Sequence, residues 1–167
     1  DSQTIAQNTA RVILKAIKEE DGDILAFLPG SGDIRRCQEI LEQASLPIAI
    51  HALYGDLPHE EQIAALLPHP AGRRKIVLST SIAETSLTIE GIKIVVDSGY
   101  SRAPKFNIRS GLTHLETIRV TQDTADQRAG RAGRLGPGVC YRIWPERTHQ
   151  HLVPHRTPEI FEAELSQ

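Results

Sequence analysis

The chain has 167 residues, enough for one ordinary domain with its own core and too few for two comfortable ones. Its 19 Lys and Arg against 21 Asp and Glu give a formal charge of −2, which excludes a polycation, so any hold on nucleic acid has to come from a local patch. Cys37 and Cys140 fit no zinc or redox spacing and read as structural thiols of a reducing compartment; with no run of about 18 apolar residues and no signal-like start, a cytoplasmic location and no membrane partner are expected.

In chain order, Ile5, Val12, Ile13, Ala16 and Ile17 recur at helical spacing between Thr4 and Glu20, and Gly22 supplies a stop. "DILAFLP" (23–29) is nearly continuous in apolar character, as expected of a strand buried on both faces of a parallel sheet. The next stretch, "SGDIRRCQEILEQA", sets Ile34, Cys37, Ile40, Leu41 and Ala44 on one helical face. The unit then repeats. "PIAIHALYG" predicts a second strand and "LPHEEQIAALL", with Pro58 and acidic residues in its first turn, a second such helix. "RRKIVLST" and "GIKIVVDSG" predict two more strands with the short "SIAETSLTI" between them. Strands alternating with helices indicate an α/β fold with a mostly parallel sheet.

After Gly99 the pattern changes. Two strand-like arms surround the turn-rich "NIRSG", which predicts a β-hairpin over 100–119 projecting from the sheet. "DTADQRAGRAGR" follows as a helix or helix-like turn, "GVCYRIW" as a last strand, and "RTPEIFEAELSQ" as a helix starting at Pro158.

The chemistry concentrates in "QRAGRAGR" (127–134). Arg128, Arg131 and Arg134 stand three apart and would line up on a helix, an unfavourable stack of like charge unless an anion lies opposite. Planar guanidinium forks match phosphate oxygens, although the bare pattern by itself fits a solvated basic helix face better. A second stretch, "STSIAETSLTI" (79–89), gathers hydroxyls just past a buried strand, where open α/β sheets bind ligands. Local capping accounts for the same residues. "HQH" (149–151), with His155 and Glu146, lacks a complete tetrahedral set and reads as a polar connector, so no metal site is expected.

Taken together, "FLPG" (27–30), "LYGDLP" (53–58), "STSIAETSLTIEGI" (79–92), "VVDSG" (95–99) and "QRAGRAGR" resemble, in that order, the second RecA-like domain of DEAH-box RNA helicases. "FLPG", "GRRKIVLST" and "SGLTHL" look most like the bacterial HrpB-type branch. The resemblance covers 22–144 and implies a RecA-like (P-loop NTPase-type) mostly parallel sheet flanked by helices over 1–145. Residues 146–167 would then be a connector and the start of a winged-helix region.

It also implies roles. Arg131 and Arg134 match arginine fingers that reach ATP across a domain cleft, and Gln127 matches the glutamine that places the attacking water. Thr88 and Glu90 match positions near the ribose, and Leu66 the position beside the base. Thr80 and Ser81 match residues that hold the RNA backbone, Ser86 lies between the two groups as a coupler, and the amide of Gly55 matches a further RNA contact, although a turn glycine explains that residue as well. Arg128 is expected in a structural ion pair, and Asp97 as structural or as orienting the cleft. Three positions depart from the family pattern: Ser81 stands for Asn, Glu90 for Asp, and Leu66 for the aromatic residue of many eukaryotic members, which implies weak discrimination among nucleoside triphosphates. The hairpin matches the element near the point of strand separation, with Lys105, Arg109 and Arg119 as its candidate phosphate contacts.

The sequence holds no G-x-x-x-x-G-K-[ST] loop and no D-E-A-H stretch. It would supply half of a composite site for ATP with Mg²⁺, the metal held mainly by a first RecA-like domain, and would hydrolyse essentially nothing alone. The implied partners are single-stranded or structured RNA, that first domain, and C-terminal domains of the same chain. The competing readings are a non-catalytic RNA- or protein-binding module on a RecA-like fold, and an unrelated nucleotide-binding α/β domain.

Overall fold

The computed structural model describes residues 2–133 and 136–154. The elements run α1 (Ser2–Glu19), β1 (Asp23–Phe27), α2 (Ser31–Gln43), β2 (Ala49–Leu53), α3 (His59–Leu66), β3 (Lys75–Ser79), a 3₁₀ turn (Ser81–Ala83), β4 (Ile92–Asp97), β5 (Tyr100–Asn107), β6 (Leu112–Arg119), α4 (Gln122–Ala129), β7 (Val139–Arg142) and α5 (Glu146–Gln150). The expected helix at Pro158 lies outside the described residues.

Five strands form one sheet in the order β2-β3-β1-β4-β7, every pairing parallel. Side chains alternate between its two faces. Ile24, Ala26, Ile76, Leu78, Ile94 and Val96 point to one side, where α1 and α2 cover them with Ala6, Ala10, Ile13, Ile34, Cys37 and Leu41. Leu25, Phe27, Val77 and Val95 point to the other and meet Leu53, Ala65, Ala83, Ile89 and Ile92. The continuous apolar runs in the sequence are therefore explained by burial on both faces.

Two neighbouring cations at the start of β3 fasten helix ends. Arg74 donates to the carbonyls of Ile17 (3.2 Å), Glu20 (2.7 Å) and Gly22 (2.6 Å), closing the C-terminus of α1. Lys75, 0 % exposed, donates through Nζ to the carbonyls of Ala65 (2.9 Å) and Leu67 (2.7 Å) at the end of α3. Helix ends leave carbonyls without partners, and a buried ammonium needs acceptors, so each requirement meets the other.

β5 and β6 form the separate antiparallel hairpin, in register from Tyr100–Arg119 to Asn107–Leu112. At its turn the Asn107 side chain accepts from the amides of Arg109 and Ser110, and Gly111 takes φ +70°. Its arms expose Phe106, Leu112 and Leu115.

Arg128 and Arg131 do not share one helix. α4 ends at Ala129, with Gly130 as its C-cap, so Arg128 belongs to the helix and Arg131 to the turn after it, while Arg134 lies outside the described residues. Gly133 (φ +79°) and Gly138 then bring two backbone segments together; a Cβ on Gly138 would stand 2.6 Å from the Gly133 nitrogen.

Candidate functional site

Parallel pairing puts the carboxyl ends of all five strands on one edge. Phe27, Leu53, Ser79, Asp97 and Arg142 lie in register there, and the loops that follow carry the candidate residues.

One cleft of about 360 Å³ opens on this edge. Pro29, Gly30 and Ser31 line it from the start of α2, Tyr54, Gly55 and Asp56 from the loop after β2, Thr80 and Ser81 from the loop after β3, and Arg102 and Leu115 from one face of the hairpin. Thr80 is fixed by its amide, which donates to the Leu53 carbonyl at 3.1 Å. The loop after β2 is fixed by Gln62 of α3, whose Nε2 lies 3.4, 3.2 and 3.1 Å from the carbonyls of Tyr54, Gly55 and Leu57. Packing does not demand a glycine at position 55, since a Cβ there meets nothing within 4 Å. Gly30 differs: a Cβ would come within 3.1 Å of Arg102 Nε, so the glycine makes room for the guanidinium. Hydroxyls, loop backbone and one arginine suit a chain of phosphates.

A second cleft, about 440 Å³, is lined by Thr85, Thr88, Gln127, Gly130 and Arg131. It offers two hydroxyls, a carboxamide and a guanidinium with no carboxylate among them. That set fits phosphate oxygens and does not fit a divalent cation, which takes carboxylate ligands.

Between the clefts sits Arg128, 0 % exposed. Its Nε donates to Glu84 (2.8 Å), one terminal nitrogen to Asp97 (2.8 Å) and the Tyr100 carbonyl (3.0 Å), and the other to Ser81 Oγ at 3.4 Å. The guanidinium carbon lies 4.9 Å from the centre of the Phe27 ring. Asp97, itself 0 % exposed, also accepts the Gly99 amide at 2.8 Å. Two carboxylates, a carbonyl and a hydroxyl satisfy the buried fork, which is the ion pair expected of Arg128. Arg128 also joins a wall of the first cleft, Ser81, to the helix that carries Gln127 and leads to Arg131.

The structure thus brings Gly55, Thr80 and Ser81 together in one cleft and Thr88, Gln127 and Arg131 in the other. Ser86 and Glu90 are exposed on the intervening segment and line neither. Leu66 is half-buried against the second core cluster and lines neither. Arg102, Tyr54, Thr85 and Glu84 were missed by sequence reasoning. The hairpin cations singled out there are otherwise engaged or distant: Lys105 pairs with Glu116 at 3.5 Å, Arg119 lies over the Tyr100 ring at 5.1 Å, and Arg109 sits at the turn. In the hairpin register Arg102 shares a face with Pro104, Phe106 and Leu115.

Residues 8–136 match the model of the helicase conserved C-terminal domain. The chain belongs to that family. This helicase C-terminal domain is 46 % identical over 151 residues to the ATP-dependent RNA helicase HrpB of Escherichia coli, covering 90 % of the chain and 19 % of that relative. It is 40 % identical over 159 residues to the ATP-dependent RNA helicase HrpA of Borreliella burgdorferi, covering 93 % of the chain and 19 % of HrpA. The crystal structure of the E. coli DEAH/RHA helicase HrpB superposes with a TM-score of 0.85 at 44 % identity, over 91 % of this chain and 20 % of that one. The RecA-like fold and the DEAH-box type expected from the motifs follow. The helicase C-terminal domain spans about a fifth of the length of these relatives, and no helix among its described residues is long and apolar enough to cross a membrane.

Proposed function

We propose that this chain is the second motor domain of an ATP-dependent RNA helicase: it holds single-stranded RNA in the first cleft and presents phosphate-binding groups from the second to ATP bound on a first RecA-like domain. The observation that carries this reading is the Arg128 cluster, which ties Ser81 of one cleft to the helix of the other. Gly55, Thr80 and Ser81, with Arg102, would hold the RNA backbone. Gln127 would orient the water that attacks the γ-phosphorus, and Arg131 with Arg134 would neutralise the charge that spreads over the phosphoryl oxygens as ADP leaves. Thr88 faces the same cleft as Gln127 and Arg131 and suits a nucleotide hydroxyl or phosphate. Mg²⁺ is left to the partner domain, in keeping with the carboxylate-free lining.

Closure of the two domains around ATP would press Arg131 onto the nucleotide, and the rigid link through Arg128 would pass that movement to Ser81. Alternation between closed and open states would then shift the grip on RNA. Residues 1–145 form the motor domain in this reading, and 146–167 lead into the next. The test is RNA-stimulated ATP hydrolysis by the full-length protein. Arg131→Ala should lower turnover by about a thousandfold or more with nucleotide binding retained. Unchanged turnover would instead favour a non-catalytic binding module.

A further inference from the structure

All three amides that open α4 have acceptors, and two of the acceptors come from a distant segment. Gln122 N–H donates to the Val153 carbonyl (2.8 Å) and Asp123 N–H to the Pro154 carbonyl (3.0 Å), while Thr124 N–H bonds the capping Thr121 hydroxyl at 3.2 Å. The Gln122 side chain adds to this clasp, its Nε2 donating to the carbonyls of Leu152 (3.0 Å) and His149 (3.4 Å). Apolar packing backs it: Leu152 is buried with Val120 and Ala125, and Trp144, stacked on His149 at 6.2 Å, packs beside them. Gly99 leaves room for that indole, since a Cβ there would stand 2.9 Å from it.

α4 is therefore held at two points. Residues 149–154 clasp its first turn, and the Arg128 cluster pins it near its end. A short helix behaves as a rigid rod, so a shift of its first turn tilts it about the Arg128 pin and displaces Gly130 and Arg131. Catalytic groups tolerate such displacement poorly, a misplacement of about 1 Å costing on the order of a hundredfold.

We infer that Gln122 is a positioning residue, whose carboxamide, by gripping the carbonyls of His149 and Leu152, ties the placement of Arg131 to the 149–154 segment. This rests on the reading of α4 and the turn after it as the bearer of ATP-contacting groups. Through this clasp, a shift of residues 149–154 alters ATP turnover without touching nucleotide.

The experiment compares RNA-stimulated ATP hydrolysis in the full-length protein for wild type, Gln122→Glu, Gln122→Lys and Arg131→Ala. Glutamate keeps the shape but cannot donate to carbonyls, whereas lysine keeps a donor. Gln122→Glu should lower kcat about tenfold with KM for ATP within about twofold, and Gln122→Lys should restore kcat to within about threefold of wild type. If Gln122→Glu does not fold, Gln122→Met removes the donor without adding charge and carries the same expectation. Wild-type kcat in the donor-less variant, or equal losses in it and the lysine variant, overturns the inference. Retained turnover in Arg131→Ala removes the underlying reading and the inference with it, whereas lost turnover there beside wild-type kcat in Gln122→Glu overturns the inference alone.

Discussion

Arg128 and Arg131 stand three residues apart in one motif and occupy opposite environments. Arg128 is sealed inside the protein, its guanidinium bonded to Glu84, Asp97, Tyr100 and Ser81 and lying over the Phe27 ring. Arg131 is half-buried on the rim of an open cleft beside Thr88 and Gln127. The backbone produces this difference, because α4 ends at Ala129, between them, and Arg131 follows in a tighter turn whose N–H donates to the Arg128 carbonyl at 3.1 Å. Charge alone does not mark a residue for ligand binding; the one whose fork the fold leaves accessible is the one to test.

The sharpest break of this comparison is in turnover. The loss of about a thousandfold or more expected for Arg131→Ala should come with a change in stability within about 0.5 kcal/mol, as for other partly exposed substitutions away from the core. Arg128→Ala should do the reverse first. It strands two carboxylates without their cation and should cost about 3–5 kcal/mol in urea denaturation, well before any question of catalysis arises. A stable Arg128→Ala protein would mean that the cluster is not the structural centre described above.

A smaller effect separates the clefts. Arg102 lines only the first, so Arg102→Ala should weaken RNA binding across sequences and reduce the slope of log affinity against log salt by about 0.7 for a single strand, leaving ATP affinity unchanged. An unchanged slope would remove Arg102 from the phosphate contacts.

The smallest prediction concerns pH. Burial, then the charges of Lys75 and His69, lower the pKa of His51. The folded protein thus binds that proton less readily than the unfolded chain does. Stability should fall as pH drops below the ordinary histidine value of about 6.5 and level off once the lowered pKa is passed. His51→Gln should flatten that part of a pH series of urea midpoints.

Local pattern carried most of the fold. The apolar runs of β1, β3 and β4 gave strands buried on both faces, and helical spacing gave α1 and α2 within a few residues of their ends. The candidate site was legible only where a motif is contiguous, as in Thr80–Ser81 and Gln127–Arg131. Tyr54 and Gly30 meet because parallel strands end on one edge, Arg102 joins them from the hairpin that follows β4 there, and no periodicity in the sequence brings residues that far apart in the chain together. The burial of Lys75 depends on acceptors at the end of α3 that only the packed structure supplies. Arg128 and Arg131 are indistinguishable by spacing, since their fates are decided by where α4 stops.

The fastening of α1 by Arg74 has a consequence for biosynthesis. The three carbonyls that Arg74 binds lie 52 to 57 residues earlier in the chain. At roughly 5–20 residues per second, α1 leaves the peptidyl-transferase centre about 3 to 10 seconds before the side chain that closes its end is made. α2 (Ser31–Gln43) is made part-way through that interval and is available to cover the apolar stripe of α1 before β3 and β4 are complete. Slower translation through the α3 region would lengthen the exposure of a helix already synthesised, so the order of manufacture and the order of consolidation differ at the N-terminal end.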